Sequence, residues 1–208
     1  MKLQLFIVLI FSFLFFGCSS KPLDPVSFDR VNKDISFTKD IKPILDNRCV
    51  SCHSCYNSPC QLNLGSFSGL DRGASKDLVY DTRIKSVNPT RLFVDASNIK
   101  DWRDKGFFSM TDKMEDTNSS IMMQYLFEKD RNPKLEGKYS PETDKLSCVK
   151  NKEELEDYLE VNPHKAMPYG FPGLSKNEYN TIMTWLDNGA IDDTPKDTIN
   201  DFEKAQIK

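Results

Sequence analysis

The chain has no block of basic residues. Its 28 basic and 31 acidic side chains leave a formal charge of −3, so the electrostatic footprint of a nucleic-acid binder is missing and that class is set aside. It has no internal repeat and no low-complexity stretch, which argues against a solenoid and against a disordered tract. A nucleophile–base triad, a phosphate-binding glycine loop and a convincing pair of strands are all lacking. Histidine is scarce, with only His53 and His164 in 208 residues.

A long apolar run occurs once, at the N-terminus. Lys2 gives a positive start, and Leu3 to Phe16 is apolar apart from Gln4 and Ser12. That length is short for a membrane span and suits the central region of an export signal. The run ends at Gly17-Cys18-Ser19-Ser20, a small residue followed by cysteine, which resembles a bacterial lipobox although Phe15 stands where leucine is favoured. Lipidation of Cys18 would hold the mature chain on a membrane surface, in the periplasm and, from Ser19, on the outer membrane more than the inner. The competing reading is an N-terminal transmembrane anchor with Cys18 inert. The expected organisation is a signal peptide over 1–17, a lipid-anchored tether over 18–35, one domain over 36–191 and a polar tail over 192–208.

Helical signals dominate the mature chain. Asp40 is placed to cap a helix with Pro43 in its first turn and Ile41, Ile44 and Leu45 on one face. Glycines and Pro89 break up 61–113 into loops and short helices. Helical spacing returns from Ser119 to Lys129, and 132–148 again reads as loop. Asn151 and Glu154 form a reciprocal cap for a helix with Leu155, Tyr158 and Leu159. Ser175-Lys176-Asn177-Glu178 has capping-box form ahead of Tyr179, Ile182, Met183 and Leu186, and Gly189 stops that helix. The expectation is a mainly α fold.

The first helix delivers Cys49-Val50-Ser51-Cys52-His53. Cys-x-x-Cys-His is the attachment signature of c-type haem. Two thiols one turn apart can add to the two vinyl groups on one porphyrin edge, and the adjacent imidazole then reaches the iron. One covalently bound haem c is expected, with Cys49 and Cys52 as thioether attachments and His53 as proximal ligand. Three rivals use the same region. Cys49, Cys52, Cys55 and Cys60 have a spacing reminiscent of iron–sulfur ligation, the same four thiolates suit zinc, and a disulfide knot is the plainest alternative. An oxidising compartment disfavours the first two.

A distal ligand has to come from elsewhere. Met167-Pro168-Tyr169-Gly170 lies in a loop before the last helix, the usual order in small cytochromes c, so Met167 is expected there; His164 competes, and an open distal side is the third option. The fold is then a cytochrome c-like haem domain with a long loop-rich insertion between the haem motif and Met167. Cys55, Cys60 and Cys148 remain, enough for one disulfide whose pairing the sequence does not choose. Arg72, Lys76, Arg83, Arg91 and Arg103 form a positive set that reads as solvated surface, or as partners for haem propionates or phospholipid headgroups. Trp102 and Trp185 read as core.

Several blocks resemble one family. Cys55-Tyr56-Asn57-Ser58-Pro59-Cys60-Gln61-Leu62, Arg72-Gly73-Ala74-Ser75-Lys76, Pro89-Thr90-Arg91-Leu92-Phe93, Trp102-Arg103 and Met167 through Ser175 are similar to bacterial fatty acid cis/trans isomerases, over about 37–190. The resemblance implies a haem enzyme of the cell envelope that converts cis double bonds of membrane phospholipid acyl chains into trans without excising them. It also implies roles for Cys49, Cys52, His53 and Met167 as given above, and a longer relative with a large region after the cytochrome-like part. On that expectation this chain is a separately encoded haem domain, a truncated product, or one piece of a split enzyme served by a separate C-terminal portion. An electron-carrier lipoprotein is the alternative from another class, and a haem subunit serving a partner is a third.

Overall fold

The computed structural model describes residues 21–54, 58–77, 90–96, 98–133 and 148–195. Among the described residues there are helices and no strand, and extended pairing is confined to the isolated bridges Ala74–Phe108 and Lys113–Ser120. The chain is mainly α.

The first helix begins a turn earlier than the position of Asp40 suggests. A π turn, Phe37–Ile41, runs into α1, Lys42–Arg48. Its cap is Ser36, whose Oγ accepts from the Lys39 amide at 3.1 Å, while Asp40 Oδ2 reaches back to accept from the Ser36 amide at 2.9 Å. Asp40 is thus the reciprocal partner of the cap. The reason lies in burial: Phe37, Ile41 and Leu45 recur every four residues and are 2%, 0% and 0% exposed, so the apolar face already runs through Phe37. Pro43 falls in the first turn of α1, where no amide is needed.

Five further helices follow. They are α2, Phe67–Arg72; α3, Ile99–Asp104; α4, Ile121–Arg131; α5, Lys152–Val161; and α6, Lys176–Asp187. Ser66, Asn98, Ser120, Asn151 and Ser175 each accept a backbone N–H at the third helical position, satisfying a donor that the helix leaves open. At α6 the reciprocal bond is present as well, Glu178 accepting from the Ser175 amide at 2.8 Å. At α5 the box is only half made. Glu154 accepts instead from the Lys150 amide and from Lys76 Nζ, so a long-range cation takes the carboxylate that Asn151 was expected to share.

Helix α6 is the centre of the core. It packs on α4 and on the π turn, and Ile182, Met183, Trp185 and Leu186 are at most 1% exposed. Phe37 lies 5.7 Å from the Trp185 ring and meets Phe67 edge-on at 5.2 Å. Each such large side chain contributes roughly 1.5–3 kcal/mol by burial. The terminal helix is therefore seated on the segment that leads into the cysteine motif.

The polar stretch after residue 20 has no helix, yet it is strapped to this bundle. Leu23, Val26 and Phe28 pack against the core. Tyr179 Oη donates to the Ser27 carbonyl at 2.9 Å, and the Asp29 and Val31 amides donate to Asn180 Oδ1 and Thr184 Oγ1. At the strap's start the Lys21 and Leu23 amides donate to Glu160 and Glu156 of α5.

The loop-rich middle is held by two devices. Cys60 and Cys148 form a disulfide across 88 residues of sequence. Arg72, read from sequence as solvated, is 2% exposed. Its guanidinium donates to the carbonyls of Thr90, at 2.8 Å, and Gln61, and stacks over Phe107 and Trp102 at 4.8 and 5.4 Å. A planar cation with donors in its plane and aromatic faces on its side can be buried this way. Trp102, at 4%, is core as expected.

Candidate functional site

The cysteine–histidine turn grows directly out of α1. Cys49 and Val50 amides both donate to the Leu45 carbonyl, at 2.8 and 2.9 Å, ending the helix; the Cys52 and His53 amides then donate to the Cys49 carbonyl at 3.1 and 2.9 Å. This second set of bonds adds one more turn and sets the two cysteines a turn apart. The turn is fixed at its far side by the Leu64 amide, which donates to the His53 carbonyl at 2.7 Å. Beside Cys49, Arg48 makes a two-pronged contact with Glu178, Nε to Oε1 and Nη2 to Oε2 both at 2.9 Å. That clamp joins the end of α1 to the start of α6. The Arg48 guanidinium, by hydrogen bonding, is the largest cause holding the Glu178 carboxyl down at about 2.

The three motif side chains differ in environment. Cys49 is half-buried, and burial, followed by the nearby Cys52, pushes its thiol up to about 12. Cys52 is exposed, and both are free thiols. His53 is largely enclosed; burial lowers its pKa, opposed by a hydrogen bond with the Leu62 backbone, so the ring is held toward the neutral form. Its Nδ1 is buried and has no hydrogen-bond partner among the described residues.

This set fits a covalently attached porphyrin. Thioether formation needs two unpaired thiols a turn apart, and axial ligation needs a neutral imidazole with a nitrogen to spare. The rival reading as a four-thiolate metal site meets an obstacle, because Cys60 is already bonded to Cys148. Cys55 and Cys18 lie outside the described residues. Among the described residues no group of three or more His, Cys, Asp or Glu is placed to hold a metal ion.

Met167 is partly buried and packs against the core cluster that Cys49 and Val50 also border. His164 belongs to the short 3-10 turn Pro163–Lys165; its side chain lies outside the described residues. Of the positive set, Lys76 pairs with Glu154 and Arg91 with Asp95, and Arg103 donates to the carbonyls of Arg72 and Asp71. Arg83 lies outside the described residues. Arg72 and Arg103 thus hold backbone carbonyls in place, which argues against a headgroup role for either.

One feature has no signature in the sequence. Phe37, Phe67 and Phe93 line a mainly apolar cleft of about 300 Å³, closed at its edges by Lys42, Gly65–Ser68, Asp192 and Thr194. Its walls come from four segments distant in sequence, 37–42, 65–68, Phe93 and 192–194. No local motif could have announced it.

Comparison with known proteins adds a family. The model of a family described as fatty acid cis/trans isomerase matches residues 87–208, more than half of the chain. The matched part begins after the Cys49–His53 turn and includes α3 to α6 and Met167. No curated protein and no solved structure matches the chain.

Proposed function

The chain belongs to the fatty acid cis/trans isomerase family, and on that premise we propose that it converts cis double bonds of membrane phospholipid acyl chains into trans, using one covalently bound haem c. The family match is the observation that carries the reading. The free thiols of Cys49 and Cys52, one turn apart beside the enclosed His53, support the cofactor.

In this reading Cys49 and Cys52 would hold the porphyrin through thioethers, and His53 and Met167 would ligate its iron. A carbon–carbon double bond does not rotate thermally at growth temperature, so its bond order has to fall for an instant; a bound haem would supply an electron-withdrawing centre for that. The protein's share is placement. Burial keeps the His53 ring neutral and therefore able to ligate. The Arg48–Glu178 clamp fixes the turn against α6, and the Leu64 amide fixes the His53 carbonyl. The reaction has no net redox change and consumes no energy cofactor. Lipidation at Cys18 would place the enzyme on the periplasmic side of a membrane, beside its substrate.

Gas chromatography of membrane fatty acids after heat or solvent stress, with and without the gene, tests the activity. Trans content that does not depend on the gene refutes it. The cofactor is tested separately: denatured protein from a cytochrome-maturing host should give a pyridine haemochrome band that Cys49→Ser or Cys52→Ser shifts. Carbon monoxide binding to the reduced protein reports on the distal side, since slow or incomplete binding is expected with Met167 in place.

A further inference from the structure

We propose that the cleft between Phe37, Phe67 and Phe93 is the binding site for a single unbranched acyl chain, with the Thr194 hydroxyl holding the polar end. The proposal rests on the isomerase reading for its ligand class and on four observations for its place.

The lining is of the right kind. Three phenyl rings give a cleft of about 300 Å³ a mainly apolar surface, with Thr38, Lys42, Ser66, Ser68, Asp192 and Thr194 also bordering it; the volume is at the small end of ligand pockets, which run from roughly 300 Å³ upward and are mostly apolar. An apolar chain gains about 0.8 kcal/mol for each methylene it buries, without needing directional partners.

One polar atom is left without a partner. Thr194, which lines the cleft, has a buried Oγ1 with no hydrogen-bond partner among the described residues. A buried hydroxyl without a partner is costly, and an ester carbonyl or a carboxylate would accept from it. The residue is fixed in position, because its amide donates to Asp192 Oδ1 at 2.8 Å and the neighbouring Asp193 accepts from the Thr38 amide at 2.9 Å.

The cleft is linked to the cysteine–histidine turn along the chain on two sides. Gly65–Ser68 form one wall, and the residue before them, Leu64, is bonded to the His53 carbonyl. Lys42 on the opposite edge opens α1, whose end is Cys49. Seven residues of helix span roughly 10 Å, about the length over which a bound chain would have to extend to bring an internal double bond near His53.

Finally, the cleft joins the two parts of the chain. Phe37 and Phe67 precede the family-matched segment, whereas Phe93, Asp192 and Thr194 belong to it. A site shared between them needs both.

Calorimetric titration of the full chain with free oleate, and in a second arm with dioleoyl phospholipid in nanodiscs, tests the assignment and separates the two sources of acyl chain. Saturable binding is expected in at least one arm. Ser68→Trp, which fills the cleft from the half-exposed start of α2, should weaken it at least tenfold. Thr194→Val should weaken it about three- to tenfold, the effect of one hydrogen bond, and Thr194→Ser should restore it. Circular dichroism identical to wild type shows that the variants fold. No binding in either arm, or equal binding by folded Ser68→Trp and Thr194→Val, overturns the site. Binding that follows the variants as stated, with trans fatty acids absent from stressed cells, upholds the cleft and refutes the isomerase reading alone.

Discussion

Removing the Cys60–Cys148 bond should be among the most damaging small changes to this fold. The bond closes 88 residues of sequence. In the chain-entropy treatment a loop of that length, left open, returns about 4.6 kcal/mol of disorder to the unfolded state. Measured losses usually fall short of this figure, so about 2–4 kcal/mol is expected for Cys60→Ala/Cys148→Ala. The double variant avoids leaving a lone thiol that could exchange with Cys49 or Cys52. Urea denaturation without reductant, followed by tryptophan fluorescence, is the assay: Trp102 and Trp185 are both buried and report on the two halves that the bond joins. A native fold with a few kcal/mol to lose should show a clearly lower midpoint. Reductant should lower the wild-type midpoint by a similar amount and leave the double variant unchanged. Coincident midpoints for wild type and variant, without reductant, would refute the reasoning.

Three other outcomes follow from geometry. Glu178→Gln keeps a side chain suited to the capping box while removing its charge; because the Glu178 carboxyl is held at about 2, below its ordinary 4.5, its stabilisation is complete above pH 4.5 and fades as pH falls toward 2. After discounting for solvent screening this is about 1–2 kcal/mol, so the variant should be weaker at pH 7, with the gap narrowing below pH 4.5 and closing only as pH approaches 2 in thermal melts; parallel pH profiles would speak against the clamp. Gly73→Ala should cost more than about 1 kcal/mol, because φ is +84° and a Cβ would come within 2.0 Å of the Phe108 carbonyl; an unchanged melting temperature would count against the Ala74–Phe108 bridge. Arg72→Met keeps the length and loses the donors to Gln61 and Thr90, so a loss of about 2–4 kcal/mol is expected in urea titration, with neutrality as the contrary result.

Much of the helical scaffold is legible in the residues. Ser175 with Glu178, and the stripe Tyr179, Ile182, Met183, Leu186, give α6 almost residue by residue, because cap and period agree. Asp40 misled for the opposite reason. An acidic residue before an apolar run can cap or can reach back to a cap, and the tertiary burial of Phe37 decides which. Arg72 shows the same limit: its charge predicts solvent, and only the rings of Trp102 and Phe107, some thirty residues away, explain its burial. The cysteine turn is local and so could be read, whereas the Cys60–Cys148 pairing and the phenylalanine cleft depend on long-range closure.

The N-terminal strap bears on how the body sits at a membrane. Lys21 and Leu23 are already bonded to Glu160 and Glu156 on α5, three and five residues past Cys18. An acyl group proposed at Cys18 therefore has at most about 10 Å of extended backbone before the globule begins. If Cys18 carries that acyl group, so short a tether would restrict tumbling and would turn the face bearing α5 toward the bilayer surface.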